Sequence, residues 1–153
     1  MIQPKINGSP GFSTDLSIES VELARLRHLI YDQWLRYLKT IAPEHVKRFE
    51  ECGIERYHEA SHLIDHGSVW PKKVRILPQN AVSEIRKMSF VNKLEDYFGS
   101  FEIADEDNVR REEIYWRLVR PNEKNDVGPL HADAWFWDLG HGTTPNKRVR
   151  VKV

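Results

Sequence analysis

The chain has a single cysteine, Cys52, in 153 residues. That excludes an internal disulfide and suits a reducing compartment. A lone cysteine without a surrounding motif is expected to be a buried filler, not a nucleophile. There is no excess charge of either sign: Lys+Arg and Asp+Glu both number 23. With no basic or acidic bias, neither a nucleic acid nor a membrane surface is expected as a partner. No apolar run approaches the roughly 20 residues of a membrane span. The opening, MIQPKINGSPGFSTDLS, lacks the apolar core of a signal peptide, so a cytoplasmic location is expected. Internal repeats and low-complexity tracts are also missing. What remains is 40% hydrophobic and 30% charged, the composition of a globular chain long enough to bury one core.

Helical periodicity dominates the first two thirds. Residues 1–16 are polar and rich in Gly, Pro and Ser, and read as an irregular arm. Ser17 is a suitable N-cap, with Glu19 and Glu22 in the first turn, where the helix dipole favours acids. Leu23, Leu26, Ile30, Trp34, Tyr37 and Ile41 then recur at helical spacing, which predicts an amphipathic helix over 18–40. Pro43 can open a second helix and Gly53 can close it. A third short helix, IERYHEASHLIDH, is expected to end at Gly67. A longer helix follows, with Val82, Ile85, Met88, Val91, Leu94 and Phe98 as its apolar stripe and Gly99 as its stop. These elements make 17–99 a mainly helical layer.

From residue 100 the period changes. FEIA and EEIYWRLVRP alternate and are rich in β-branched and aromatic residues, the signature of strands. Ile114, Trp116, Leu118 and Arg120 fall on one face of the second run, Tyr115, Arg117 and Val119 on the other. After the polar loop NEKNDVG come two more extended runs, PLHADAWFW and RVRVKV (148–153). Helices first and strands last predict an α+β domain over 1–153. The last strand ends with the chain, so the β portion reads as cut short. Its uncovered edges and aromatics predict a homo-oligomer pairing through exposed strands.

The chemistry-bearing residues gather in GPLHADAWFWDLGHG. On a strand, His131 and Asp133 point to one face, one pleat apart. An imidazole and a carboxylate so placed can hold one face of a metal, and a third ligand would complete the 2-His-1-carboxylate triad of non-haem iron(II) oxygenases. The plainer alternative is a strand with two polar residues facing water.

The stretch EIYWRLVRPNEKNDVGPLHADAWFWDLGHGTTPNKRVRVKV resembles the phytanoyl-CoA dioxygenase-like family of iron(II)/2-oxoglutarate oxygenases. The resemblance lies in the YWRLVRPN-type strand, then a loop, then G-P-L-H-x-D with aromatics behind it. LPQNAVSEIRKMSFVNKLEDYFG looks like the helical layer before this family's barrel. The resemblance implies N-terminal helices packed on a double-stranded β-helix (jelly-roll) sheet, here incomplete, over 100–153. It makes His131 and Asp133 the first two ligands to Fe(II), with 2-oxoglutarate as co-substrate and a small organic or acyl substrate. Trp116 and Arg117 are candidate cofactor-binding residues on the preceding strand: one of them must face the pocket side, and an Arg there could receive a carboxylate, with pairing to a local Glu or Asp as the alternative. The family's distal histidine has no counterpart, so the chain is expected to be inactive alone, and no catalytic residue is assigned. His141, between Gly140 and Gly142, is a weak substitute ligand.

A second motif competes. His58, Glu59 and His62 spell H-E-x-x-H, with His66 one turn further on. On a helix, His58 and His62 would be zinc ligands and Glu59 a general base, as in a zinc peptidase. The alternative is a solvated face, with His66 as an imidazolium at a helix end. A non-catalytic α+β interaction domain is the remaining alternative to an enzyme.

Overall fold

A computed structural model describes residues 12–105 and 110–128. Helix α1 (Ser20–Ile41) buries Leu29, Trp34 and Leu38 on one stripe, as its period requires. Glu19, not Ser17, occupies its N-cap, without a side-chain cap bond. A 3-10 turn at Pro43–His45 leads into α2 (Val46–Cys52). Gly53 ends α2 with φ at +69°, its N–H donating to Phe49 O at 2.9 Å. That left-handed φ is strained for any residue with a Cβ.

The expected third helix is not continuous. Residues 54–63 form two 3-10 turns, Ile54–Glu59 and Ser61–Leu63, and Arg56 departs from helical angles inside the first. Ile64 is extended, and Asp65 then starts a new helix, α3 (His66–Val69). Its Oδ1 accepts from Gly67 N–H at 3.2 Å and its Oδ2 from Ser68 Oγ at 2.8 Å. Gly67 therefore lies inside a helix instead of ending one, because an aspartate at the N-cap satisfies the first free amides.

Helix α4 (Lys72–Arg75) follows Pro71, and α5 (Gln79–Ile85) follows Pro78. The expected long helix breaks at Met88, which is extended, and resumes as α6 (Ser89–Phe98). The break is stabilised from α1. Glu22 accepts from the Ser89 amide, and its other oxygen accepts from Ser89 Oγ at 2.9 Å. These bonds, the amide first, hold the Glu22 carboxyl below its usual pKa. The apolar stripe survives the break: Val82, Ile85, Met88, Val91 and Leu94 are all buried.

Aromatic rings run through the core. Trp34 and Phe49 meet edge to face at 6.0 Å between centroids, Phe49 stacks on Tyr57 at 5.9 Å, and Tyr57 meets Trp70 at 6.1 Å. Trp70 in turn meets Trp116 at 5.5 Å. Cys52 is buried among these residues as a free thiol, in keeping with its reading as filler.

The jelly-roll sheet is not what the described residues form. They are 61% helical with 2% strand, and contain no sheet. FEIA has no regular structure, with Phe101 and Ile103 packed on the core, and EEIYWRLVRP lies against the helices. One antiparallel bridge, Ile76 to Tyr115, joins the second to the α4–α5 link. Leu77 N–H donates to Ile114 O at 2.8 Å and Trp116 N–H to Arg75 O at 3.2 Å. The alternation itself is kept. Trp116 is buried and Ile114 and Leu118 pack on the core, while Tyr115 and Val119 are exposed. Two-residue periodicity needs one apolar covering face, and a helical layer supplies it as well as a second sheet would. The runs PLHADAWFW (from Pro129 on) and RVRVKV lie outside the described residues.

Candidate functional site

The expected site residues fall in three places. His131, Asp133 and His141 lie outside the described residues. Trp116 is a core residue, its Nε1–H donating to Gln33 Oε1 at 2.9 Å. Arg117 is exposed and donates through Nη2 to the backbone carbonyl of Asp126 at 2.6 Å. Trp116 is buried and Arg117 exposed, so the two point apart, as alternation demands. The HEASH residues sit across the junction of two 3-10 turns, so the helical face that would align His58 and His62 is not built. Glu59 faces Arg48 at 3.8 Å and Arg56 at 3.6 Å. Among the described residues no three His, Cys, Asp or Glu side chains converge to hold a metal ion. Nor is any helix among them long and apolar enough to cross a membrane.

The most developed polar constellation joins three separate segments. Arg120 grips Asp126 in a bidentate fork, Nε to Oδ2 at 2.9 Å and Nη2 to Oδ1 at 2.8 Å. The Arg120 amide adds a third bond to Oδ2 at 2.8 Å. His66 Nε2 stands 3.3 Å from the same Oδ2, and His66 Nδ1 lies 2.9 Å from Tyr57 Oη. Tyr57 Oη accepts in turn from Trp70 Nε1–H at 3.0 Å. The Asp126 side chain is only 3% exposed and that of His66 11%.

The electrostatics fix the protonation pattern. The Arg120 fork holds the Asp126 carboxyl far below the usual carboxylate range, against the opposing effect of burial. Burial lowers the His66 imidazole below its ordinary value, and the attraction of Asp126 only partly offsets this. Arg120 already balances the Asp126 charge, so His66 is neutral at pH 7. An ionised Asp126 attracts the His66 proton to Nε2, which faces it at 3.3 Å without hydrogen-bond geometry, and this leaves Nδ1 to accept from Tyr57 O–H. Burial also raises the Tyr57 phenol, keeping it a donor. Every member thus both fits its tautomer and finds a partner.

The sequence Tyr–His–Asp has the logic of a hydroxyl activated by a base that a carboxylate orients. Its terminal oxygen gives the opposite result. Tyr57 is 3% exposed and enclosed by Trp34, Phe49 and Trp70, so no substrate can reach it. The constellation is a clamp. It ties the loop 117–127 to residues 57–70 of the helical layer and ends just before Gly128, from which PLHAD continues.

A groove of about 360 Å³ lies elsewhere, between α1 and the α4–α5 link, with Arg36, Lys73 and Arg111 on its walls. No protein-family model, curated protein or solved structure matches the chain significantly.

Proposed function

We propose that this chain carries the metal-gripping segment of a non-haem Fe(II)/2-oxoglutarate-dependent oxygenase acting on a small organic or acyl substrate. His131 and Asp133 are its ligands in this reading. The observation that carries it is the sequence G-P-L-H-A-D followed by Trp135, Phe136 and Trp137. The clamp supports it, because Arg120 and Asp126 anchor the backbone immediately upstream of that segment. A metal-ligand pair gains precision when the chain entering it is fixed. Bound there, Fe(II) would couple 2-oxoglutarate decarboxylation to hydroxylation of an unactivated C–H bond. The unpaired Cys52 and a ferrous ion both suit a reducing, cytoplasmic setting.

The test is anaerobic titration of the chain with Mn(II) as a spectroscopic stand-in for Fe(II). Saturable binding is expected, and its loss in both His131→Ala and Asp133→Ala. Binding that survives in both variants, or no binding by the wild-type chain, overturns the proposal. Zinc binding that needs His58 and His62 would favour the H-E-x-x-H motif, and no binding of any metal would favour a non-catalytic domain.

A further inference from the structure

The groove between α1 and the α4–α5 link is independent of the H-x-D segment. Its walls carry Arg36 from α1, Lys73 from α4 and Arg111 from the extended segment, and among the described residues no acidic one lines it. Among the described residues none of these three cations is in an ion pair. Elsewhere Arg25, Arg86 and Arg120 each meet a carboxylate. The chain as a whole has equal numbers of acids and bases, so the excess is local. Three like charges lining one concavity repel one another, and a bound anion relieves that repulsion.

The rest of the lining says what kind of anion. Val74 and Pro78 give the groove an apolar floor, and Tyr37 adds a ring at its side. The Tyr37 ring is held against Trp70 at 5.4 Å. The two opposed walls do not slide, because Gln33 of α1 donates through Nε2 to Val74 O at 3.1 Å and Ile76 O at 2.6 Å. The volume of about 360 Å³ is at the small end for ligand sites. Two guanidinia and an ammonium match a doubly charged oxyanion better than a single carboxylate, since a phosphate monoester offers two charges and three terminal oxygens to three cations.

We infer that this groove binds a small organic phosphate monoester, its phosphate held by Arg36, Lys73 and Arg111 and its apolar body seated on Val74 and Pro78. The phosphate supplies most of the attraction, so affinity falls as salt rises. The apolar floor makes the site prefer an ester with a flat body to the bare ion.

Phenyl phosphate is a suitable probe, titrated into the full chain and followed by calorimetry and by Tyr37 and Trp70 fluorescence. Saturable one-to-one binding is expected, with Kd below about 10 mM at low salt. Arg36→Gln, Lys73→Gln and Arg111→Gln should each weaken it by about tenfold, an order set by loss of one charge-assisted contact. All three side chains are on exposed residues, so the variants should fold normally, as circular dichroism will verify. Lys93→Gln, on α6, should leave binding unchanged. The inference is overturned by absence of saturable binding, by insensitivity to the three substitutions, or by inorganic phosphate binding as tightly as its phenyl ester. None of these outcomes depends on metal binding at His131 and Asp133.

Discussion

Arg120 and Asp126 face each other as fork and carboxylate, with contacts of 2.9 and 2.8 Å, and the Arg120 amide closes a third bond to the same group at 2.8 Å. The five-residue loop between them is thus closed by both side chain and backbone. His66 reaches the pair from the helical layer at 3.3 Å. One carboxylate therefore joins a loop to a scaffold, and its removal has a predictable cost.

Asp126→Asn keeps the shape and loses the charge. An amide has one accepting atom where the carboxylate has two, so it cannot take both arms of the Arg120 fork and the Arg120 amide, and at least one donor is left without a partner. A loss of about 2–3 kcal/mol is expected, the range for buried hydrogen bonds to a charged group. Urea unfolding followed by tryptophan fluorescence reads it directly. A loss under about 0.5 kcal/mol, the level of an ordinary surface change, would show that the clamp does not hold the fold.

The clamp also gives stability a pH dependence with two parts. His66 is depressed in the folded state, so below its ordinary value near 6.5 the unfolded chain takes a proton that the folded chain declines. Stability is then full above that value and falls as pH drops below it, the slope being positive in pH. Asp126 is likewise depressed, and its contribution is present above the ordinary carboxylate value of 3.8 and lost in stronger acid. Urea midpoints between pH 7.5 and 5 should decline, and His66→Gln should flatten that decline while leaving the loss below pH 4. Equal slopes in wild type and His66→Gln would sink the assignment. The windows are those of the ordinary imidazole and carboxylate pKa values.

Lys72 and Glu113 form a second buried pairing. The Glu113 side chain is fully buried, and Lys72 Nζ stands 3.1 Å from its Oε2. The contact is one of charge, since neither carboxylate oxygen has a hydrogen-bonding partner in the right geometry. Lys72→Met should destabilise by about 3 kcal/mol, because it strands a buried charge. Adding Glu113→Leu should recover most of that loss. A double variant no more stable than Lys72→Met, measured by thermal unfolding, would count against the pairing.

The parts of this fold that can be read from sequence are those set by local rules. The six apolar positions from Leu23 to Ile41 make α1 plain, and Gly53 and Gly99 end helices because each takes a positive φ. The inward Ile114, Trp116 and Leu118 are equally legible. What alternation does not encode is the identity of the covering layer, so a strand of a jelly roll and a lone extended segment on helices share one pattern. The split at Met88 depends on Glu22, 67 positions before Ser89, and no local rule contains it. His66 is the sharpest case. Its place beside Gly67 suggests a charged imidazole at a helix end, yet it starts a helix and is neutral. Its partners Tyr57 and Asp126 come from segments that only folding brings together. Arg117 shows the same limit, since its partner is the carbonyl of a loop residue nine positions on.

Gln33 has a consequence of its own. Along 75–77, one side of the backbone is taken up by 114–116, through Arg75 O and Leu77 N–H. The carbonyls of Val74 and Ile76 face the other way, and the single carboxamide of Gln33 donates to both through Nε2. A primary amide is a peptide unit on a short stem, so here a helix lends one in place of a neighbouring strand. The ribbon is thereby finished on its outer side, and an incoming extended chain finds those two acceptors already taken.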